Sequence, residues 1–272
     1  MIVPILNGIR HLSAGNPVCL EESGALAEIS ASLNKAGDYL LKKDNTRAEW
    51  IRGISHDIRT PLSIILGYAS EIEDTVSLPE ATRKQAGIIR RYSEKLKNLV
   101  ADLNLTTKLE YSIQPLQKQK IDPVELARQV VSEVLNDGIS ELYELELSED
   151  NPGKNLSLVG DQALLSRMLN NLIRNCIVHN PDGCTIQVSV GSCDAMCTFS
   201  VADNGYGISE PQLNALNSGK DISSTQKQTG ETEHGLGLKI VMQIVKAHQG
   251  IIQFADTIPH GLSIHISLPM KL

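Results

Sequence analysis

At 272 residues, with 41% hydrophobic and 21% charged side chains, the chain has the length and composition of about two soluble domains. A net charge of −7 argues against a nucleic-acid binder, which needs a basic surface to neutralise phosphates. The cysteines, Cys19, Cys176, Cys184, Cys193 and Cys197, are odd in number and hold no C-x-x-C pair. They fit the reduced thiols of a cytoplasmic protein, not a disulfide framework or a zinc site.

No run of roughly 18 apolar residues is present, so no membrane span is expected within the sequence. The opening Met1-Ile2-Val3-Pro4 is not a signal peptide and starts abruptly, as though another segment precedes it. Residues 4–44 read as two short amphipathic stretches around a polar connector at 13–23. In the second, Leu26, Ile29, Leu33, Ala36 and Leu40 step by three and four, as a coiled-coil seam does. The apolar beat is lost across 42–49. It resumes at Ile51, Ile54, Ile58, Leu62 and Ile65, in a helix expected to run to about residue 75.

Ser77-Leu78-Pro79-Glu80 reads as the next helix start, with serine at the cap and proline in the first turn. That helix places Ala86, Ile89, Leu96, Leu99 and Leu103 on one face. Two long helices joined by a short turn form a hairpin whose apolar stripes are only half covered. Pairing two hairpins into a four-helix bundle buries the remainder, so a homodimer is expected.

From residue 115 the pattern changes. Strands are expected at 117–121, 143–147 and 155–159, and helices from Asp122-Pro123 to about 136 and from Asp161 through 178. A hairpin at 185–190 and 198–201, a polar stretch at 217–234, a helix at 236–248 and strands at 250–254 and 262–268 complete the chain. The fold class is therefore a multidomain chain: an all-α hairpin forming a dimeric four-helix bundle, then an α/β sandwich with helices on one sheet face.

Four short strings carry chemistry. His56 and Thr60 are four apart on one helical face with Asp57 beside them, where a carboxylate can hold an imidazole and take its proton. Pro61 follows inside the same helix, which costs a backbone hydrogen bond. Asn171 and Asn175 present two amide oxygens on one helix face, ligands that suit Mg²⁺. Asp203-Asn204-Gly205-Tyr206-Gly207 follows an apolar strand, where a carboxylate can accept from an exocyclic amine. His234-Gly235-Leu236-Gly237-Leu238 opens a helix whose free N–H groups suit phosphate.

These strings, in this order, resemble the H-box, N-box, G1 box and G2 box of the sensor histidine kinases of two-component systems. The resemblance implies a helical phosphotransfer hairpin followed by an ATP-binding domain of the group shared with Hsp90 and gyrase. It implies His56 as phosphoacceptor, Asp57 as its acid/base partner and Thr60 as a water-positioning residue. ATP would be held by Asn171, Asn175, His179, Asp203, Gly205, Gly207, Gly235, Leu236 and Gly237, with Asn175 on Mg²⁺.

The partners implied are a second copy of the chain and the receiver domain of a response regulator, with no nucleic acid. The expected divisions are 1–45, a HAMP-like signal-transmitting segment; 46–114, the dimerisation and histidine phosphotransfer domain; and 115–272, the catalytic domain. The parent protein is expected in a bacterial inner membrane, held by a transmembrane segment upstream, with this region cytoplasmic. The chain departs from the family pattern in having Val178 where relatives often place a phosphate-touching lysine. It also lacks the two phenylalanines of the F-box; Leu213, Leu216 and Lys220 occupy that region, and Lys220 or Lys227 would serve the lid. An alternative is a phosphotransfer and phosphatase module with a degenerate nucleotide domain.

Overall fold

The computed structural model describes residues 3–13, 18–20, 26–110, 115–150, 156–218, 234–258 and 260–271. The chain divides into two compact units, Met1–Ile113 and Gln114–Leu272. Among the described residues, no helix is long and apolar enough to cross a membrane.

The first unit contains α1 (Val3–Ser13), α2 (Ala27–Asp74) and α3 (Glu80–Glu110). The loss of apolar beat at 42–49 does not break α2, which is one continuous helix of 48 residues. Its buried positions explain the lapse. Ser30 and Gly37 are seven apart, Ala48, Ser55, Leu62 and Ala69 are again seven apart, and an interval of eleven separates the two series. Eleven is seven plus four, the stutter that shifts the phase of a heptad pattern without ending the helix. Before the step the stripe meets the connector. Leu20 N donates to Asn34 Oδ1 and Asn34 Nδ2 to Leu20 O, both at 2.8 Å, and Gly37 faces Val18. After the step, the buried positions fall on the side of α2 that packs along α3.

The inner face of that hairpin is built from small side chains. Ala48, Ser55 and Ala69 on α2 and Ala86, Ser93, Thr106 and Thr107 on α3 are all buried. Of the apolar residues expected on one face of α3, Ala86 is covered within the chain, whereas Ile89, Leu96 and Leu103 stay exposed. The start of α3 also differs from expectation. Arg83 N donates to Pro79 O at 3.1 Å, so Pro79 stands at the cap position and Ser77 lies in the turn. At this end Glu73 binds α3 twice: its carboxylate accepts from Arg90 Nε at 2.6 Å and its carbonyl from Arg83 Nε at 2.7 Å.

The second unit contains β1 (Gln119–Ile121), α4 (Pro123–Asn136), β2 (Tyr143–Glu149), β3 (Leu158–Gly160) and α5 (Gln162–His179). It continues with β4 (Cys184–Cys193), β5 (Met196–Asp203), α6 (Glu210–Asn217), α7 (His234–Ala247), β6 (Ile251–Asp256) and β7 (Leu262–Pro269). Five strands form one sheet in the order β2-β4-β5-β7-β6, parallel only between β2 and β4, while β1 and β3 pair separately. The period of two sorts the sheet's faces. Ile186, Val188, Val190, Phe199, Val201, Ile264, Ile266 and Leu268 form the buried face against the helices. Gln187, Gln253 and His265, on the other face, are exposed to solvent. Asp122 caps α4 through Val124 N and Glu125 N, and Asp161 caps α5 through Leu164 N.

Helix α6 is the element absent from the sequence expectations. Its signal was present: Ser209 precedes Glu210-Pro211-Gln212, and Gln212 Oε1 accepts from both Ser209 N and Ser209 Oγ. The polar stretch expected as a lid falls mainly on 219–233, outside the described residues, as do Lys220 and Lys227.

His248 pins α7 to the start of α5. It is fully buried, its Nδ1 donates to Ile244 O at 2.8 Å, and its Nε2 accepts from Asp161 N at 3.0 Å. Accepting that bond requires neutral imidazole. Burial lowers its pKa from 6.5, opposed by the backbone bond at Ile244 and by Asp161 and aided by Lys118. The unfolded chain therefore binds the extra proton first as pH falls, so this stabilisation is complete above pH 6.5 and declines below it. Thermal melts followed by circular dichroism should show the wild-type second unit losing stability as pH falls below that value. A His248→Gln variant should be less stable at neutral pH and have a flatter pH dependence.

Candidate active site

In the first unit the chemistry lies on α2. His56 and Asp57 are exposed, with His56 Nδ1 3.5 Å from Asp57 Oδ1. A carboxylate on Nδ1 favours the tautomer whose proton is on that nitrogen and leaves the Nε2 lone pair outward. Thr60 Oγ1 donates to His56 O at 3.4 Å, and Ser55, buried against α3, donates to Ile51 O at 2.7 Å. Pro61 stays inside the helix, and its missing N–H leaves the Asp57 carbonyl without its usual helical partner. At about 100° per residue, His56 points nearly opposite the exposed Ile54, Ile58 and Ile65, so the imidazole and the apolar seam occupy different sides of α2.

In the second unit the site grows from strand and helix periodicity. On β5 the inward positions are Cys197, Phe199 and Val201, and the next inward position is Asp203. Its carboxylate is buried on the helix-covered side; Oδ1 accepts from Gly205 N at 3.0 Å. Burial, and then the charge of Asp203, push the Cys176 and Cys184 thiols up, so both are neutral donors beside the carboxylate and not nucleophiles.

On α5 the buried stripe Leu165, Met168, Leu169, Leu172, Ile173 and Cys176 fixes the helix against the sheet. Asn171 and Asn175 flank that stripe and turn toward α7. A Cβ placed at Gly237 would lie 3.5 Å from Asn175 Oδ1 and 3.9 Å from Asn171 Oδ1. Gly237 belongs to the first turn of α7, which carries the helix's unpaired N–H groups. Two amide oxygens and a helix N-terminus thus meet at one place. Asn171 Nδ2 is buried there and has no hydrogen-bond partner among the described residues. A buried orphan donor is costly on its own and suits an anionic oxygen, while the neighbouring amide oxygens suit a hard cation. The donor set therefore fits a nucleotide phosphate with Mg²⁺.

The loop after β5 is held by a residue that the sequence reading did not assign a role. Asn180, 2% exposed, donates from Nδ2 to Cys176 O at 2.8 Å and accepts at Oδ1 from Tyr206 N at 2.9 Å. Its carboxamide occupies the space that a Cβ at Gly205 would need, so that position requires glycine. Gly207 adopts φ +68°. The Tyr206 hydroxyl donates to Asp182, joining the same loop to the turn after α5. The one cue to Asn180 was its place four residues past Cys176, continuing the buried stripe beyond the helix end. Among the other expected site residues, His179 is exposed at the end of α5 and Leu236 is half-buried at the start of α7. Gly235 lies in the same first turn.

Two family models match the chain. Residues 46–112 match the His Kinase A (phospho-acceptor) domain, and residues 160–272 match the histidine kinase-, DNA gyrase B- and HSP90-like ATPase. The chain is 32% identical over 210 residues to the sensor histidine kinase YvrG of Bacillus subtilis (strain 168), covering 76% of this chain and 36% of the relative. It is 28% identical over 276 residues to the signal transduction histidine-protein kinase BaeS of Escherichia coli (strain K12), covering 98% and 57%. It thus spans about a third to a little over half of those relatives. Among solved structures, full-length ShkA in complex with AMPPNP superposes with a TM-score of 0.64 at 24% identity, over 81% of this chain and 45% of that one. The histidine kinase ThkA, solved with the response regulator protein TrrA, gives 0.55 at 23% identity, over 84% and 64%. These two likenesses concern the fold.

Gly205→Ala should weaken binding of an ATP analogue on the order of tenfold or more, the equivalent of about 1.4 kcal/mol. Asn180→Ala, which leaves the Cys176 carbonyl and the Tyr206 amide without their partner, should weaken binding as well. Isothermal titration of the two variants and the wild type checks both outcomes; equal affinity for Gly205→Ala and wild type would refute the packing argument.

Proposed function

The chain belongs to the sensor histidine kinases, carrying a phosphoacceptor hairpin and an ATP-binding domain of the kind shared with gyrase and Hsp90, and we propose that it phosphorylates its own His56 from ATP. The phosphoryl group then passes to an aspartate on the receiver domain of a response regulator. The observation that carries the reading is the convergence of Asn171, Asn175 and the first turn of α7, with the Asn171 amide unpartnered among the described residues.

In this reading Asp203 accepts from the adenine amine, while Asn171 and the α7 N-terminal turn, through Gly235, Leu236 and Gly237, hold the phosphates. Gly205 and Gly207 shape the adenine loop, and His179 flanks the nucleotide. Asn175 holds Mg²⁺, which when bound neutralises phosphate charge. Asp57 takes the Nδ1 proton as Nε2 attacks, so the ring ends neutral. Thr60 orients the water that hydrolyses the phosphoaspartate of the regulator, releasing inorganic phosphate, in the phosphatase reaction.

The exposed seams on α2 (Ile54, Ile58, Ile65) and α3 (Ile89, Leu96, Leu103) support a homodimer through a four-helix bundle. The connector pinned to Asn34 supports a HAMP-like segment at 1–45, ahead of a phosphotransfer domain at 46–114 and a catalytic domain at 115–272. The greater length of the relatives supports a longer parent protein; a sensor and a membrane anchor upstream are part of the proposal. The assembled asparagines and Asp203 leave nothing that favours a degenerate nucleotide domain.

Incubation with γ-labelled ATP and Mg²⁺ should give acid-labile label that His56→Gln abolishes. Asp203→Asn should lower the labelling rate about 30- to 100-fold, the cost of losing a buried charged hydrogen-bond acceptor. Undiminished label in His56→Gln would sink the reading.

A further inference from the structure

Beside His56 the surface of α2 is hollowed. The hollow is lined by Glu49, Arg52, Gly53, His56 and Asp57, and the space over Gly53 is open: a Cβ built there would have no atom within 4 Å. Positions 49, 52, 53 and 56 share one helical stripe, so Arg52 lies one turn before His56 on its own side of the helix. Arg52 is exposed and has no hydrogen bond or ion pair among the described residues, although Glu49 is three residues away. Arg59, a similar distance after His56, completes a flank of two cations, and Asp57 stands on the other flank.

We propose that this hollow is a phosphoryl pocket, in which Arg52 binds the phosphoryl group once it is on His56; this rests on the kinase reading above. In the transfer the N–P bond forms at Nε2 while the P–O bond to the β-phosphate breaks. The leaving ADP keeps that bonding pair, and the Nδ1 proton goes to Asp57. The phosphoryl group then needs space and a countercharge. Gly53 supplies the space, and the planar guanidinium of Arg52 supplies paired donors to two phosphoryl oxygens. A cation at that place also disfavours protonation of the phosphoimidazole, the step that makes the N–P bond labile in acid. Glu49 and Asp57 oppose it, so removing Arg52 leaves the ring facing two carboxylates and Arg59.

The test charges the whole chain at His56 with phosphoramidate, which needs no nucleotide, removes the reagent, and follows loss of acid-labile phosphate across pH. Arg52→Gln should shorten the phosphohistidine lifetime by about fivefold, the size of a solvent-exposed charge contact. Its acid acceleration should set in at higher pH. Arg52→Lys should stay close to wild type in the onset of acceleration. Equal decay of all three proteins at every pH overturns the proposal. So does a variant that slows only transfer to a regulator, which would make Arg52 a docking residue. Labelling by phosphoramidate but not by Mg-ATP removes the kinase reading and leaves the lifetimes to decide Arg52; failure of both reagents removes the pocket as well.

Discussion

The carboxamide of Asn180 sets the geometry on which the nucleotide site depends. It is buried at the end of α5, with one end on the Cys176 carbonyl and the other on the Tyr206 amide. Helix α5 carries Asn171 and Asn175, and β5 delivers Asp203, so this one side chain keeps two independent sources of chemistry in register. A buried amide that satisfies both of its ends is rigid, because every alternative rotamer leaves a polar group unpaired. The Tyr206–Asp182 bond repeats the connection closer to solvent.

The hairpin works by separating its faces. One side of α2 is lined with small residues against α3, a second carries the exposed isoleucines, and a third carries the histidine and its charged neighbours. A helix with three distinct sides can hold a reactive group on a scaffold without exposing that group to the packing surfaces. Pro61 adds a freed carbonyl at Asp57, the residue next to His56, a local departure from helical regularity at the place where the sequence concentrates its polar residues.

Much of this was legible because strands and helices announce themselves by period. Asp161 and Asp122 cap the helices they were expected to cap, and Asp203 ends the strand after which the loop was expected. The continuity of α2 was not legible, because a four-residue phase step looks like a break to a reader following one stripe of leucines. The inner face of the hairpin was also hidden, since Ala, Ser and Thr carry no hydrophobic signal although they mark the closest helix approach. Asn180 escaped because its role is defined by two backbone groups, one of them 26 residues away. Helix α6 had a legible start, but its eight residues bury only Leu216 and so offer almost no periodic pattern.

The small-residue lining of the hairpin has a consequence for how the first unit forms. Alanine, serine and threonine release little water-exposed apolar area when α2 meets α3; Leu62 is buried with them, while Ile54, Ile58, Ile65, Ile89, Leu96 and Leu103 remain outside. A lone hairpin of this composition gains too little to offset the ordering of two long helices. In the dimeric reading the seam residues supply the missing burial, so collapse and association become a single event. The helical unit would then melt at a temperature that rises with protein concentration, whereas the sheet unit, with its own aliphatic core, would melt at a temperature that does not.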